Sequence, residues 1–154
     1  NISFVKFVSY MVCQTVGAFL GALLVIALNY SHIMSYPDHS MFIGAMGTLK
    51  NPNNSLFSSI LDQILGSALL MLGILKSTDT KWKPFFIGLV LGGLGLMAGS
   101  NGFACNFARD MGPRIASSII YGSDPFTLQD NWWWVPATMS FIGCPLGWLM
   151  AQLI

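Results

Sequence analysis

The chain has 154 residues, of which 54% are hydrophobic and only 8% are charged. Soluble domains carry about 25% charged residues, so a chain this poor in charge cannot cover a water-facing surface, and we interpret it as an integral membrane protein. The formal net charge of +1 is far from the dense basic patch that nucleic-acid binding requires, and we expect no nucleic-acid partner.

The first predicted span is the apolar run 7–28, which is long enough to cross a hydrocarbon core of about 30 Å. Within it, Gly17 and Gly21 have the GxxxG spacing that lets helices pack closely. A long polar loop, 29–55, follows and contains prolines and several asparagines. The chain begins at Asn1, almost inside a span, so we expect it to be part of a longer protein.

The second predicted span, 56–75, ends at Lys76. The third, 84–98, opens with Pro84, at a position where a helix tolerates proline. One face of the third span is nearly bare backbone, and such a face either packs tightly against another helix or lines a narrow passage. Packing is the commoner reason. The residues that form this face are Gly88, Gly92, Gly93 and Gly95.

The fourth predicted span, 132–154, begins with three tryptophans, which favour the membrane interface and are expected to mark a boundary. Lysines cluster in the loop 76–83, between spans two and three, and the positive-inside rule predicts that this loop is cytoplasmic. The loop 29–55 is then extracellular, and its two glycosylation sequons, at Asn29 and Asn53, agree with that orientation.

Cysteines and histidines are the residues most able to bind a metal, and this chain has few of them. Cys13, Cys105 and Cys144 lie in apolar surroundings without a CxxC or Cys/His cluster, so we expect small buried residues rather than ligands or disulfides. His32 and His39 lie in a polar loop, where surface histidines are the default. The sequence therefore predicts no metal site.

A charged segment, 102–114, reads GFACNFARDMGPR and lies between spans three and four. It is too short and too polar to span, and the alternating spans place both of its ends on the same side of the membrane. Such a segment can dip in and return if its backbone is buried in protein or lines water. Asn106 is a good N-cap, and we predict a re-entrant half-helix over about 106–118, which Pro113 is expected to shorten, kink or break.

The charges of this half-helix suit a passage through the membrane. A helix that starts at mid-membrane points its free N–H groups and positive dipole end into that passage and repels cations. Arg109 adds a full charge one turn into the helix, while Asp110 faces elsewhere and can pair with Arg114 at i, i+4. The alternative is a surface loop with an ordinary helix and solvated charges. The flanking spans, the cap and the glycine-rich run favour the re-entrant interpretation.

The same residues resemble a known family. GFACNFARDMGPR matches, at twelve of thirteen positions, the second signature loop of the major intrinsic proteins, the aquaporins and glycerol facilitators, whose pattern reads G-[FY]-A-x-N-P-A-R-D-x-G-P-R. Residues 12–19 resemble the third helix of the family, and 135–137 resemble the start of the sixth. The resemblance implies an all-α membrane protein, an aquaporin-like right-handed helical bundle with a re-entrant half-helix. Residues 1–154 would form a single partial channel domain, and the family's first two helices and first half-helix would precede Asn1.

Within the family, the chain resembles the glycerol-conducting branch. Asp110 follows the signature arginine, and Arg114 occupies the basic position of that branch. Pro136 and the small Ala137 resemble its helix-six pair, where water channels tend to place an aromatic residue.

The resemblance also implies a selectivity filter made of Phe103, Arg109 and Gly95, with Gly93 as the alternative to Gly95. Arg109 would donate hydrogen bonds to hydroxyl groups of the permeant, and Phe103 would offer a flat apolar wall. Gly95 would leave width for a molecule larger than water. Backbone carbonyls of residues 99–104 would line the opposite side as acceptors.

The half-helix motif, Asn106, Phe107 and Ala108, departs from the family's Asn-Pro-Ala at its second residue. Asn106 would cap the helix and offer its amide to the permeant. Phe107 replaces a proline that is pre-organised for the first helical position, and its ring either packs beside the missing half-helix or enters the narrow centre.

Two glutamines are the structural supports that the resemblance implies, Gln14 in the first span and Gln63 in the second. Gln63 replaces a family glutamate that orders the re-entrant backbone through its carboxylate. We expect that Gln63 keeps an acceptor but loses the charge, at about 1–2 kcal/mol of hydrogen bonding.

The implied function is a passive channel for glycerol, other small uncharged polyols and water, which excludes ions and protons. We expect a homotetramer in the lipid bilayer of the plasma membrane, with no enzyme activity and no cofactor. One alternative is a non-conducting aquaporin-like protein with a packing or adhesion role. An ion-coupled transporter is disfavoured, because Asp62 is the only acidic residue in a span.

Overall fold

The computed structural model describes residues 2–77, 81–98 and 101–154. Within these ranges the chain forms helices and no strand, in agreement with the predicted all-α class. The helices are α1 (Phe4–Ser35), α2 (His39–Met46), α3 (Leu56–Lys76), α4 (Lys83–Ala98), α5 (Phe107–Tyr121), α6 (Asp124–Asn131), α7 (Trp134–Thr138) and α8 (Ser140–Leu153).

Two of these helices are long and apolar enough to cross a membrane, α1 with 32 residues and α3 with 21. The hydroxyl oxygens of Ser3 and Ser55 cap their N-termini. Compared with the run 7–28 in the sequence, α1 extends at both ends, and it stops shortly before Pro37, which cannot continue a helix. The apolar helices α4 and α8 are shorter.

The segment 29–55 is not the continuous loop that its prolines and asparagines suggested. Its first residues belong to α1, and α2 occupies its centre. Asp38 caps α2 by accepting a hydrogen bond from the N–H of Ser40 at 2.9 Å. Hydrogen bonds from the side chain and backbone of Ser40 also lower the pKa of Asp38. The helix is held in place because Ile43 is fully buried against α1 and α5, next to Tyr121.

The fourth predicted span, 132–154, is divided into α7 and α8, which meet at Met139. Of the three tryptophans expected to mark a membrane boundary, Trp132 is buried within the protein. Its side chain is 1% exposed and packs in a core cluster with Val135 and Met139. The three residues before it, 129–131, all have positive φ, and this left-handed turn precedes the buried tryptophan.

Small residues set the two closest helix contacts. A Cβ atom built on Gly112 of α5 would lie 2.8 Å from the backbone oxygen of Thr15 in α1. One built on Gly147 of α8 would lie 2.1 Å from the backbone oxygen of Ala68 in α3. Since real Cβ atoms do not approach so closely, no larger residue fits at either contact. The glycines therefore fix α5 against α1 and α8 against α3.

The GxxxG pair that the sequence singled out is not one of these contacts. Cβ atoms built on Gly17 and Gly21 would meet nothing within 4 Å in the described part of the chain. The face of α1 that carries them is open, and Cys13 on the same helix is exposed rather than buried.

Candidate functional site

The site begins with residues 101–106, which precede α5 and are called the capping loop below. Gly102 and Cys105 turn the chain with positive φ, at 61° and 52°. The side-chain oxygen of Asn106 then accepts hydrogen bonds from the N–H groups of Ala108 and Arg109, at 2.8 and 3.3 Å. Asn106 is therefore the N-cap of α5, and two of the free donors at this helix end are satisfied.

α5 is longer than the sequence suggested. Pro113 was expected to shorten, kink or break it, and the helix is neither shortened nor broken there, since it continues from Phe107 to Tyr121. The contact between Gly112 and α1 lies beside this proline. Tight packing against a neighbouring helix therefore supports α5 where proline removes a backbone hydrogen bond.

A cavity of about 550 Å³ opens beside the start of α5, and we call it the arginine cavity. Arg109, Phe103 and Asn106 line it, together with residues of α3, α4 and α8. The Arg109 side chain is 47% exposed, and its guanidinium lies 3.8 Å from the carboxylate of Asp110, too far for a strong hydrogen bond. The donors of Arg109 are thus available to a molecule in the cavity. The sequence predicted that Asp110 faces away from Arg109. This weak contact shows that it does so only in part.

The structure brings Gly95 of α4 against Phe103 of the capping loop. A Cβ atom built on Gly95 would lie 2.9 Å from the Phe103 ring, so any side chain there would displace the ring. Gly93, the alternative to Gly95, meets nothing within 4 Å among the described residues, and neither do Gly88 and Gly92. Only one of the four glycines of this face therefore contacts the site in the described part of the chain.

Phe107 faces a different cavity from Arg109. This second cavity, of about 430 Å³, is called the phenylalanine cavity, and residues of α1 and α8 line it, with Gln14 among them. The centre of the Phe107 ring lies 5.9 Å from that of Phe141 in α8. Asn106 lines both cavities, so it lies at the wall between them. The Phe107 ring therefore contacts a neighbouring helix, α8, on the side of the phenylalanine cavity.

Asp110 and Arg114 form a fully buried ion pair, with side chains that are 0% and 1% exposed. One Arg114 nitrogen, Nη2, lies 2.7 Å from Asp110, and the Arg114 guanidinium also donates to the backbone oxygens of Thr48 and Pro125, at 2.8 and 2.7 Å. The N–H and hydroxyl of Thr48 donate to Asp110 at 2.7 and 2.8 Å. The pair thereby ties α5 to two other segments of the chain.

Gln63 of α3 holds the capping loop with both ends of its amide. Its oxygen accepts a hydrogen bond from the N–H of Ala104 at 3.1 Å, and its nitrogen donates to the carbonyl oxygen of Gly102. The expectation that Gln63 merely loses a charge was incomplete, because its nitrogen also supplies a donor that a carboxylate lacks.

A buried asparagine, Asn101, is a second support that the sequence did not reveal. It is 1% exposed. Its oxygen accepts hydrogen bonds from the Asn51 N–H and the Ser59 hydroxyl, both at 3.0 Å, and its nitrogen donates to Asp62 at 2.9 Å. Nothing in the sequence pattern distinguishes this asparagine from its neighbours, since its partners are distant in the chain.

The remaining candidates lie outside the arginine cavity or at its edge. Pro136 and Ala137 are buried in α7, Ala108 is buried in α5, and Gln14 is exposed on α1. Cys105 and Cys144 are half-buried free thiols. No group of three or more potential metal ligands occurs among the described residues. Of the carbonyls expected to line the passage, those of residues 99 and 100 lie outside the described residues.

The described part of the chain thus combines apolar helices with a capped helix, α5, whose first turn carries an arginine at the edge of a cavity. The family profile described as major intrinsic protein matches residues 1–151, and the chain belongs to this family of integral membrane proteins.

Relatives of known name support the same assignment. The chain is 28% identical to Aquaporin-10 of Homo sapiens, covering 100% of this chain and 56% of that protein. It is 31% identical to Aquaporin-9 of Mus musculus, over 96% of this chain and 56% of that protein. It is 28% identical to Glycerol uptake facilitator protein 3 of Lactiplantibacillus plantarum, over 96% of this chain and 63% of that protein. The chain thus spans little more than half the length of these relatives.

A solved structure shares the fold. The X-ray structure of the aquaglyceroporin from Plasmodium falciparum superposes with a TM-score of 0.86 at 28% identity, over 98% of this chain and 65% of that one. The predicted aquaporin-like fold is therefore confirmed.

Proposed function

We propose that the protein containing this chain is a passive membrane channel for glycerol, other small uncharged polyols and water. The observation that carries the proposal is the composition of the arginine cavity. A half-exposed guanidinium and an aromatic ring line it, and the ring lies against a glycine without a side chain. Polyols have hydroxyl groups along one side and carbon along the other, and this wall offers a partner for each.

Each residue of the proposed filter has one role. Arg109 donates hydrogen bonds to the permeant hydroxyls through a fork of N–H groups. Phe103 contacts the carbon backbone of the permeant. Gly95 leaves room for the Phe103 ring, and therefore sets the width of the passage beside it. Asn106 offers its amide nitrogen to the permeant, because its oxygen is occupied as the cap of α5.

Exclusion of ions and protons follows from the charge at the same place. The N-terminal end of α5 carries the positive end of the helix dipole, and Arg109 adds a full positive charge one turn later. A cation that enters the cavity meets both, and none of the described residues that line the cavity carries a carboxylate. The transport of uncharged solutes is unaffected by this field.

Phe107 is compatible with conduction in this proposal. Its ring lines the phenylalanine cavity and contacts Phe141, whereas Arg109 and Phe103 line the arginine cavity. The competing hypothesis is a non-conducting protein of the same fold with a packing or adhesion role, in which Phe107 obstructs the passage.

Membrane orientation and assembly complete the proposal. We infer a plasma-membrane homotetramer in which the lysine-rich loop 76–83 is cytoplasmic and the segment 29–55 is extracellular. Part of the loop 76–83 lies outside the described residues. The many large apolar side chains exposed on α1, α3 and α8 suit contacts with lipid and with neighbouring subunits.

Flux through the full-length protein in proteoliposomes tests the proposal. We expect faster osmotic shrinkage than in empty vesicles and rapid re-swelling in a glycerol gradient, with no increase in proton or sodium permeability. Glycerol flux at the level of empty vesicles, with protein shown to be folded by circular dichroism, would contradict the channel function. Conductance of sodium would contradict the proposed charge barrier.

A further inference from the structure

Two cysteines lie in the wall between the arginine cavity and the phenylalanine cavity. Cys105 belongs to the capping loop, and Cys144 lies in α8. Each of them lines both cavities, and among the described residues Asn106 is the only other residue that does so. The two thiols therefore lie on either side of the passage wall, beside the residue that caps α5.

Two consecutive residues of α3 bring these thiols into the same place. A Cβ atom built on Gly66 would lie 3.7 Å from the sulfur of Cys105, the ordinary distance of a van der Waals contact. One built on Gly143 of α8 would lie 2.6 Å from the Cβ atom of Ser67, and Cys144 follows Gly143 in the helix. Cys144 is also among the groups that act electrostatically on the Cys105 thiol. The capping loop and α8 thus meet at α3 with one thiol each.

Both thiols are free, half-buried and open to small molecules. A thiol sealed in apolar surroundings is inert, whereas one that solvent reaches can be oxidised. Cys105 and Cys144 face cavities of about 550 and 430 Å³, which are large enough to admit a small hydroperoxide. The third cysteine, Cys13, is exposed on α1 and lines neither of these cavities. It is therefore a natural control for the other two.

We propose that Cys105 and Cys144 form a redox-sensitive pair, which a hydroperoxide that reaches the cavities converts to a disulfide that lowers the flux of the permeant. In the first step, the thiolate sulfur of one cysteine attacks an oxygen of the peroxide, and the O–O bond breaks. The sulfur becomes a sulfenic acid, S–OH. The other oxygen takes the thiol proton and leaves as an alcohol, or as water when the oxidant is hydrogen peroxide.

The second step joins the two sulfurs. The other cysteine attacks the sulfenic sulfur as its thiolate, the S–S bond forms, and the S–OH oxygen leaves as water with the second thiol proton. The two sulfurs together lose two electrons, and the broken peroxide bond accepts both. A reductant with thiol groups reverses the change by exchange.

The disulfide changes the passage because it is shorter than the contact that it replaces. An S–S bond is about 2.05 Å long, and free sulfurs do not approach so closely, so at least one of them must move. Cys144 is held in a helix that packs on α3, and the capping loop with Cys105 therefore moves toward α8. Asn106 follows Cys105 directly and caps α5, so its amide is drawn from its place in the passage. The effect on flux rests on the proposed function, whereas the bond itself does not.

Peptide mapping of the full-length protein tests the bond directly. The protein is treated with hydrogen peroxide, the remaining thiols are blocked, and trypsin is added. Cleavage after Arg109 and Arg114 separates Cys105 from Cys144, so the disulfide is seen as two linked peptides that a reductant releases. We expect these linked peptides in the wild type and in Cys13→Ser, the matched control. They should be absent from Cys144→Ser.

Glycerol flux in proteoliposomes tests the consequence, with each protein compared before and after peroxide. The flux of the wild type should fall by about fivefold, the effect of weakening one hydrogen bond to the permeant, and should recover after reduction. Cys13→Ser should respond in the same way, whereas Cys144→Ser and Cys144→Ala should show no response. If the reduced protein conducted no glycerol, the proposed function would fail, and the linked peptides would still decide whether the pair forms.

Three results would overturn the inference. One is oxidised wild-type protein in which the peptide with Cys105 is not linked to the peptide with Cys144. Another is an equal loss of flux in the wild type and in Cys144→Ser, because the oxidised group would then lie elsewhere. The third is a linked pair with unchanged flux, which would mean that the disulfide leaves Asn106 in place.

Discussion

The first turn of α5 and the next turn each contain an arginine. The two arginines differ in their exposure and in the number of their hydrogen-bond partners. Arg109 is 47% exposed and makes only a long contact with Asp110. Arg114 is 1% exposed, and its guanidinium is bound by Asp110 and by two backbone oxygens. A buried guanidinium that donates to the protein's own oxygens stabilises the fold, whereas one whose donors face a cavity can bind a permeant. The same residue type therefore serves structure and function within one helix.

The largest effect on stability is expected when the buried ion pair between Asp110 and Arg114 is disrupted. Arg114→Met leaves Asp110 buried without its partner, which costs about 3–5 kcal/mol. Unfolding of the purified protein in detergent, followed by circular dichroism, measures this loss. The double variant Asp110→Asn, Arg114→Met removes both charges and should recover part of it. A loss below about 1 kcal/mol in the single variant would mean that the pair does not hold α5 in place.

Helix packing provides the next largest effect. Gly147→Val places a branched side chain where even a Cβ atom would lie 2.1 Å from the α3 backbone, so α8 must move away from α3. We expect a loss of at least about 1–3 kcal/mol of stability. Gly93→Val is the matched control on a described glycine of α4 with nothing within 4 Å. Equal melting temperatures for the two variants would contradict the assigned α3–α8 contact.

Replacement of Phe107 tests whether its ring packs against neighbouring helices or obstructs the passage of the permeant. Phe107→Pro restores a residue that is pre-organised for the first turn of a helix and removes the ring from the phenylalanine cavity. Because the arginine cavity is unchanged, we expect little change in glycerol flux through proteoliposomes. Phe107→Leu, which removes the ring without adding proline, should behave alike. A wild type that does not conduct and a Phe107→Pro variant that does would instead favour the non-conducting alternative.

Local rules were sufficient to predict much of α5 from the sequence. Asn106 before a helical pattern predicted the N-cap, and the spacing of Asp110 and Arg114 predicted their ion pair. The resemblance to the signature loop indicated the family, which the profile match over residues 1–151 confirms. Each of these predictions depends on residues within a few positions of one another, where spacing along the chain determines geometry.

The parts that could not be predicted depend on partners far away in the chain. Thr48 lies 62 residues from Asp110, and no local pattern connects them. The donor role of Gln63 and the burial of Asn101 likewise depend on how α3 lies against the capping loop. The burial of Trp132 in the core also depends on tertiary packing, and its residue type suggested only a position near a membrane boundary. The sequence also left open which way the Phe107 ring points, because either direction is compatible with Phe107 as the first residue of α5.

The central claim is that Arg109 selects the permeant without stabilising the fold, and Arg109→Ala tests it most directly. The melting temperature should equal that of the wild type, as it should for the exposed control Lys6→Ala, because an exposed side chain contributes little to stability. The ratio of glycerol to water permeability should fall by about tenfold, the effect of losing one charge-assisted hydrogen bond to the permeant. An Arg109→Ala protein with wild-type flux, wild-type selectivity and no proton leak would contradict the account.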